Sequence, residues 1–277
     1  IIFFLIIATI RKWSRAKLVP FYIVVSLLVI PWGLSDISIT NVIRFFTEDI
    51  VPHPLRASGS IDMKAFGSFI AWITTLFLNQ ALPGIFATII LTQIALVGAG
   101  ALTLIFFPLI SPKFFGFFGR TVGHIFLVII RSTPEYILAL IFLLIWGPSM
   151  LPAVIALALH NGAIIGHLMG RHTESMVLRP DAPKGINLYA YDILPKIYRQ
   201  FLAFLFYRWE VIMRETAILG ILGITTLGFY IDSAFADLRY DRAMLLIIIT
   251  AILNLGIDVM SRTIRARLRL RTRVTLL

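Results

Sequence analysis

The sequence contains no cysteine and has few charged residues. Without cysteine, disulfide bonds, thiol catalysis and cysteine-bound metals are all excluded. Charged side chains make up 14% of the chain, whereas soluble globular proteins carry about a quarter. A shortage of this size argues against a soluble domain.

The motifs of several common hydrolytic enzymes are also missing. The chain has no His-Glu-x-x-His, no phosphate-cradling Gly-x-x-x-x-Gly-Lys and no Gly-x-Ser-x-Gly. Each of these patterns carries a defined chemistry, so their absence leaves intramembrane protease or ATPase activity without support. The chain is therefore not expected to be an enzyme, and no cofactor is expected in it.

Long apolar runs dominate what is present. Hydrophobic residues make up 59% of the chain, and its mean hydropathy is +0.92. Residues 153–169 and 243–257 are nearly unbroken runs, close to the roughly 20 residues that cross a bilayer core. Because the runs are continuous rather than alternating, they favour helices over barrel strands. The pattern predicts an all-α, polytopic transmembrane bundle of about five to six spans.

The net charge of +11 and the pI near 10.3 could indicate nucleic-acid binding or a membrane orientation signal. Position decides between them, because the basic residues concentrate in a few segments between apolar runs. Those segments are 11–17, the surroundings of Lys113 and Arg120, 171–199 and 262–273. This distribution matches the positive-inside rule, so the partner is membrane lipid and not nucleic acid.

The N-terminal part, residues 1–83, is predicted to lie outside the main bundle. Residues 1–17 resemble the end of a preceding span or an N-terminal extension, and the natural polypeptide is expected to extend further upstream. Residues 18–34 form a first full span, and 36–64 form an external loop. Residues 66–82 could be a short span, but Asn79 and Gln80 favour an interfacial or re-entrant helix.

The main bundle is predicted over residues 84–268, followed by a basic cytoplasmic tail at 269–277. Residues 171–199 form its longest internal polar segment, and 231–242 form a short acidic external loop. Nearly all basic clusters then lie on the cytoplasmic side, as does the C-terminus. The predicted spans are 85–109, 114–146 with a central break, 151–169, 201–228 and 243–260.

The break in the second of these spans falls at Arg131-Ser132-Thr133-Pro134-Glu135. Thr133 can serve as a helix N-cap, and Pro134 suits the first helical position. Glu135 would then lie at the positive end of the helix dipole. A new half-helix is therefore predicted to begin at Pro134, with Arg131 and Glu135 as one charged cluster.

A second charged cluster lies in the span at 201–228. Helical geometry places Glu210 and Arg214 on one face at i,i+4 spacing, with Arg208 and Glu215 on the opposite face. Charges inside spans cost about 2.5–3.5 kcal/mol or more, so they need partners or a purpose. The two clusters are either structural ion pairs or the polar lining of an anion pathway.

The span at 151–169 carries two histidines and a series of small residues. His160 and His167 share a face, but without nearby acidic partners in the sequence they favour packing roles over metal binding. No metal site is therefore predicted. Gly162, Gly166 and Gly170 are spaced by four, which predicts close helix packing.

Several segments resemble the permease subunit of phosphonate-type ABC importers. The resemblance begins with Arg-Ser-Thr-Pro-Glu-Tyr-Ile-Leu-Ala-Leu-Ile-Phe at 131–142 and Ala-Leu-Ala-Leu-His at 156–160. It continues with Tyr-Arg-Trp-Glu-Val-Ile-Met-Arg-Glu-Thr-Ala-Ile-Leu-Gly at 207–220 and Gly-Ile-Thr-Thr-Leu-Gly at 223–228. It covers roughly residues 82–267, most of the chain.

The resemblance implies a type I importer permease whose coupling loop, residues 171–199, docks on an ATPase. Such loops carry a Glu-Ala-Ala…Gly…Ile-x-Leu-Pro pattern. Leu194 and Pro195 match it, Gly185 stands for the glycine and Glu174 lies at the loop start, but Glu-Ala-Ala is absent and the loop is shorter. The implied partners are an ABC ATPase dimer carrying ATP and Mg, an external substrate-binding protein, and a second permease copy or fused permease half.

The expected function is import of phosphonate, phosphite or a related small oxyanion across the inner membrane. The resemblance favours Arg131, Arg208 and Arg214 as pathway residues, together with their acidic neighbours Glu135, Glu210 and Glu215. Two alternatives remain from the residues alone: an ATPase-independent secondary transporter or channel for a small anion, and a non-transporting membrane scaffold.

Overall fold

The computed structural model describes Val24 and residues 38–58 and 63–268. Helices account for most of these residues, and no strand occurs among them. The described residues belong to two compact units, Ile1–Val51 and Pro52–Leu277. Three predicted segments lie outside the described residues: 1–17, 18–34 apart from Val24, and 269–277.

Over residues 38–51 the first unit forms a short helix, α1 (Ile39–Arg44), which continues as a π-helical turn, Phe45–Asp49. The hydroxyl of Ser38 accepts a hydrogen bond from the Asn41 N–H at 3.4 Å and so caps the helix start. Arg44 pairs with two acidic side chains of the following turn. The pairs are largely exposed, so they contribute little stability.

The second unit contains nine α-helices in its described part, and shorter π and 3₁₀ turns connect some of them. They are α2 (His53–Ser58), α3 (Met63–Leu76), α4 (Leu82–Ile110), α5 (Phe117–Ser132), α6 (Glu135–Trp146), α7 (Met150–Glu174), α8 (Leu194–Leu219), α9 (Leu227–Ala236) and α10 (Tyr240–Arg267).

The predicted interfacial helix at 66–82 is not separate from the span that follows it. A π-helical turn, Phe77–Ala81, joins α3 to α4, and the combined helix runs over Met63–Ile110. Its 48 residues extend about 72 Å at 1.5 Å per residue, far more than the bilayer core. The π-helical turn is stabilised by packing, because Leu76 and Ala81 are buried against residues of α9 and α10.

Three helices in the described part are long and apolar enough to cross a membrane: Met63–Ile110, α7 and α10. Two bent pairs raise the number to five if each pair counts as one span. One is α5 with α6, bent by 91°, and the other is Leu188–Leu222 with α9, bent by 42°. The first bend lies at the break that the sequence predicts.

The tightest packing joins α4 to α7, and the three spaced glycines lie along it. A Cβ at Gly162 would come within 2.8 Å of the Leu102 Cβ, and one at Gly166 within 2.8 Å of the Phe106 Cβ. A Cβ at Gly170 would overlap the side chain of Ile110. The small residues therefore let the two helix backbones approach, as in other membrane helix pairs.

Threonine hydroxyls on α4 connect the helices of this core. Thr88 and Thr92 each donate to a backbone carbonyl one turn earlier at 2.7 Å, so both hydroxyls are satisfied in apolar surroundings. The Thr92 hydroxyl also lies 3.2 Å from that of Thr216 on α8. The Thr88 oxygen accepts the Leu227 N–H at 3.0 Å and so caps the start of α9.

The acidic external loop predicted at 231–242 is mostly helical. Residues up to Ala236 belong to α9, and α10 already begins at Tyr240. Leu227 and Ala234 lie seven residues apart on the buried face of α9, whereas Asp232 is exposed on its other side. The loop prediction is wrong here because the exposed Asp232 belongs to the polar outer face of an amphipathic helix, whose other face is buried.

Candidate functional site

The break between α5 and α6 brings backbone and charged groups into the bundle. The Thr133 hydroxyl donates to the Ile129 carbonyl at 2.9 Å, so Thr133 ends α5 rather than capping α6. The N-cap of α6 is Pro134, and the helix begins at Glu135. The predicted helix start is thus one residue too early, but Glu135 does lie in the first turn, where the dipole favours its carboxylate.

Three side chains from three helices meet near this break. They are Glu135 of α6, His160 of α7 and Glu215 of α8, and their nitrogen and oxygen atoms lie within 4.8 Å of one another. We call them the carboxylate–histidine cluster. His160 Nε2 is 3.7 Å from a Glu135 carboxylate oxygen, with 10% and 18% of the two side chains exposed. The acidic partners that the sequence pattern did not provide for His160 are therefore supplied by other helices.

Two further groups hold the cluster in place. His160 Nδ1 lies 3.0 Å from the Thr133 carbonyl oxygen, which the helix break leaves available. The Asn161 amide donates to a Glu215 carboxylate oxygen at 2.9 Å and to the Leu157 carbonyl at 3.0 Å. Asn161 is fully buried, and sequence reasoning missed it because its partner lies on another helix.

The predicted charged cluster on α8 divides between two surroundings. Arg208 is half-buried, and its main electrostatic neighbours include Glu215 and Glu135. Its Nε is buried without a hydrogen-bond partner. Glu210 instead pairs with Arg214 at 2.8 Å, and the Arg214 side chain is 57% exposed. Of the four charged residues predicted on α8, Glu215 thus belongs to the carboxylate–histidine cluster and Arg208 acts on it electrostatically. Glu210 and Arg214 pair with each other instead.

Positive groups follow the contact between α5 and α7. The rings of His124 and His167 lie 5.2 Å apart, and Arg131 and Arg171 are the other electrostatic neighbours of His167. We call these four residues the basic seam. Arg131 forms no ion pair in the described part of the chain, so the structural ion pair with Glu135, one of the two alternatives for this cluster, is not found.

The basic seam follows the antiparallel contact of α5 with α7. One end lies beside the contact of Thr133 with His160, and the other end lies beside Arg120. Arg120 donates to a Glu174 carboxylate oxygen at 3.1 Å. Sequence reasoning missed His124 as a site residue, since only the helix packing brings it to His167.

The segment predicted as a coupling loop is shorter than residues 171–199. Helix α7 extends to Glu174, and α8 begins at Leu194 with Pro195 in its first turn. Between them lies Gly185, whose φ is +66°, with open space where a Cβ would be. A positive φ favours glycine, so this residue fixes the direction of the loop.

The loop is anchored to the first turn of α8 and to the segment that follows α4. Asp192 is buried and pairs with Lys196 at 2.7 Å and with Arg179 at 3.5 Å. The Lys113 ammonium donates to the Met176 carbonyl, and burial together with nearby Lys196 lowers the pKa of Lys113. These contacts make the segment an ordered surface rather than a free linker.

Comparison with curated proteins gives relatives of one kind, although no protein-family profile matches the chain. The chain is 29% identical over 153 residues to the phosphite transport system permease protein PtxC of Stutzerimonas stutzeri, covering 52% of this chain and 54% of PtxC. It is 25% identical over 152 residues to the phosphate-import permease protein PhnE of Mycolicibacterium smegmatis, covering 53% of this chain and 29% of PhnE. The matches thus span about half of the first relative and less of the second.

A solved structure is similar over a larger part of the chain. The crystal structure of an amino acid ABC transporter with histidines matches with a TM-score of 0.55 and 20% sequence identity. The match covers 75% of this chain and 99% of that one. At this identity the similarity shows the fold, and the all-α type I permease prediction is confirmed.

Apolar helices and permease relatives together indicate a multi-pass membrane protein. In sequence and in fold, this chain is similar to the permease subunits of ABC transporters, as its motifs predict.

Proposed function

We propose that the chain is the transmembrane permease subunit of an ATP-binding-cassette importer for a small phosphorus oxyanion such as phosphite, phosphate or a phosphonate. The observation that carries this proposal is the basic seam, in which the permanent charge of Arg131 lies beside two histidines along the contact of two membrane helices. The names of the relatives, a phosphite and a phosphate permease, support the same class of substrate.

The physical argument starts from the cost of charge inside a bilayer. A charged side chain at mid-membrane costs about 2.5–3.5 kcal/mol or more unless it faces a polar cavity or a partner. No ion pair with an acidic group is found for Arg131 in the described residues. A water-filled path that an anion crosses satisfies this arginine.

The helix break adds neutral donors to this path. The first N–H groups of α6 have no partners within the helix, and such N–H groups bind phosphate-like anions. Glu135 and Glu215 near the path oppose tight binding of an anion. A permeant ion must also leave its site, so this mixture of attraction and repulsion favours passage over retention.

The proposal includes the assembly around the chain. ATP hydrolysis takes place on a separate ABC ATPase dimer, which docks on the ordered segment between α7 and α8. An external binding protein delivers the anion, and a second permease copy or a fused permease half completes the path. The chain lies in the cell inner membrane with the α7–α8 segment and the C-terminus in the cytoplasm.

Uptake measurements test the proposal. Cells lacking the gene should lose energy-dependent depletion of phosphite, phosphate or methylphosphonate from the medium, followed by ³¹P NMR, and the gene on a plasmid should restore it. Collapsing cellular ATP while maintaining the membrane potential should stop the restored uptake. Unchanged depletion of all three anions in the knockout, or uptake that continues without ATP, would overturn the proposal.

A further inference from the structure

The carboxylate–histidine cluster contains two electron-pair donors that face each other. His160 Nδ1 lies 3.0 Å from the Thr133 carbonyl oxygen. Because a carbonyl only accepts, Nδ1 must carry the ring hydrogen. In the neutral imidazole, Nε2 then presents its lone pair to the Glu135 carboxylate oxygen, 3.7 Å away. This arrangement is repulsive unless a positive charge lies between the two atoms.

The negative charge of the cluster has no arginine or lysine partner. Within the described residues, neither Glu135 nor Glu215 has a Lys or Arg nitrogen within 4.0 Å. Arg208 acts on both carboxylates only at longer range. Asn161 gives Glu215 one hydrogen bond but no charge. Two carboxylates inside a membrane bundle therefore need a closer cation.

The spacing of the ligand atoms suits a metal ion as that cation. At 3.7 Å, His160 Nε2 and the Glu135 oxygen form no direct hydrogen bond and leave room between them. Two ligand atoms of one tetrahedral Zn²⁺, each about 2.0–2.1 Å from it, lie about 3.4 Å apart. All three ligand atoms of the cluster fall within 4.8 Å, so small side-chain rotations bring them around one ion.

We propose that Glu135, His160 and Glu215 bind a divalent transition-metal ion of the Zn²⁺ type. One imidazole and two carboxylates are a ligand set suited to such an ion. The outer contacts are those of a metal site: a backbone carbonyl orients His160, and the Asn161 amide orients Glu215. Three protein ligands leave a fourth position open. A metal there also removes the repulsion between the two carboxylates.

The test uses the full-length protein purified in detergent with a tag that contains no histidine. After removal of metal with a chelator, Zn²⁺ alone is titrated and followed by calorimetry. We expect one tight Zn²⁺ per chain. His160→Gln and Glu215→Gln should weaken binding by about 100-fold or more, and Asn161→Ala by about 10–100-fold. His172→Gln, exposed at the end of the same helix and outside the basic seam, is the matched control and should bind Zn²⁺ like the wild type.

Absence of saturable Zn²⁺ binding in the wild-type protein would overturn the proposal, as would equal affinity in the His160→Gln and Glu215→Gln variants. If those variants fail to give a monodisperse protein, X-ray absorption on the Zn²⁺-loaded wild type decides. One imidazole among oxygen ligands supports the site, whereas two or more imidazoles place the ion elsewhere. No anion is present in either measurement, so the result is independent of the proposed transport function.

Discussion

Two arginines on α8, six residues apart, lie in different surroundings. Arg208 is half-buried and acts on Glu215 and Glu135, whereas Arg214 is 57% exposed and paired with Glu210. An arginine does not lose its proton in a protein. Arg208 is therefore a permanent positive charge beside the carboxylate–histidine cluster, and it is the arginine of the pair that we assign to the anion path.

This difference predicts opposite results for matched substitutions. Arg208→Gln should reduce anion uptake by about tenfold or more while the amount of protein in the membrane stays unchanged, because the path loses its fixed charge. Arg214→Gln should leave uptake per molecule unchanged and lower the thermal stability, since it leaves Glu210 unpaired. Uptake assays normalised to membrane content, with melting curves in detergent, measure both effects. Equal uptake per molecule in the two variants would remove Arg208 from the path.

Among the helical elements, the junction of α8 with α9 depends on close backbone contact. A Cβ on Gly228 would lie 1.7 Å from the Ala217 carbonyl oxygen, and one on Gly220 would lie 2.2 Å from the Phe229 nitrogen. Neither contact can be relieved by rotating a side chain. Gly220 and Gly228 are thus required for packing, whatever part they play in transport.

Gly228→Ala should therefore force the two helices apart and cost about 1–3 kcal/mol of stability, as overpacking does elsewhere. Gly256→Ala on α10 is the control, because open space surrounds that position. Thermal unfolding of both variants in detergent gives the comparison. A Gly228→Ala protein as stable as the Gly256→Ala protein would contradict the contact.

The segment between α7 and α8 gives a prediction about coupling. Gly185 has a φ of +66° and open space around it, so backbone conformation rather than crowding limits substitution. Gly185→Val should abolish ATP-dependent uptake while the permease stays in the membrane, because a β-branched residue is strained at positive φ. Gly185→Asn should retain uptake, since asparagine tolerates this conformation.

Both variants are compared by uptake and by co-purification of the ATPase. If substitutions throughout this segment leave uptake and ATPase association intact, the segment does not couple the permease to ATP hydrolysis. If the Gly185→Asn variant also loses uptake, any side chain at position 185 is harmful, and the positive φ is not the reason.

For the molecule as a whole, the cysteine-free sequence allows a direct test of orientation. The basic clusters predict that the α7–α8 segment is cytoplasmic. Cysteines introduced at Ser58 and Asp237 should react with an impermeant thiol reagent added to intact cells, and one at Ala182 should react only after the membrane is opened. Labelling of the Ala182→Cys protein in intact cells would reverse the proposed topology.

The overall class of the protein follows from its sequence because it depends on local properties. Continuous apolar runs indicate helical spans in a bilayer, and the position of Pro134 predicts the bend that the structure shows at 91°. Helix ends are less well predicted. Residues 231–242 are mostly helical rather than a loop. The exposed residues of α9, Asp232 among them, interrupt the apolar pattern of its buried face along the sequence.

The helical membrane class, the break before Glu135 and the i,i+4 pair of Glu210 with Arg214 follow from the sequence alone, since all depend on neighbours along the chain. The position of Glu135 beside His160 and Glu215, rather than in a pair with Arg131, emerges from the folded bundle. Helical periodicity defines which residues share a face, but not which helix that face meets. Partners on different helices are selected by packing of the whole bundle, through close contacts such as those of the glycines on α7 with α4.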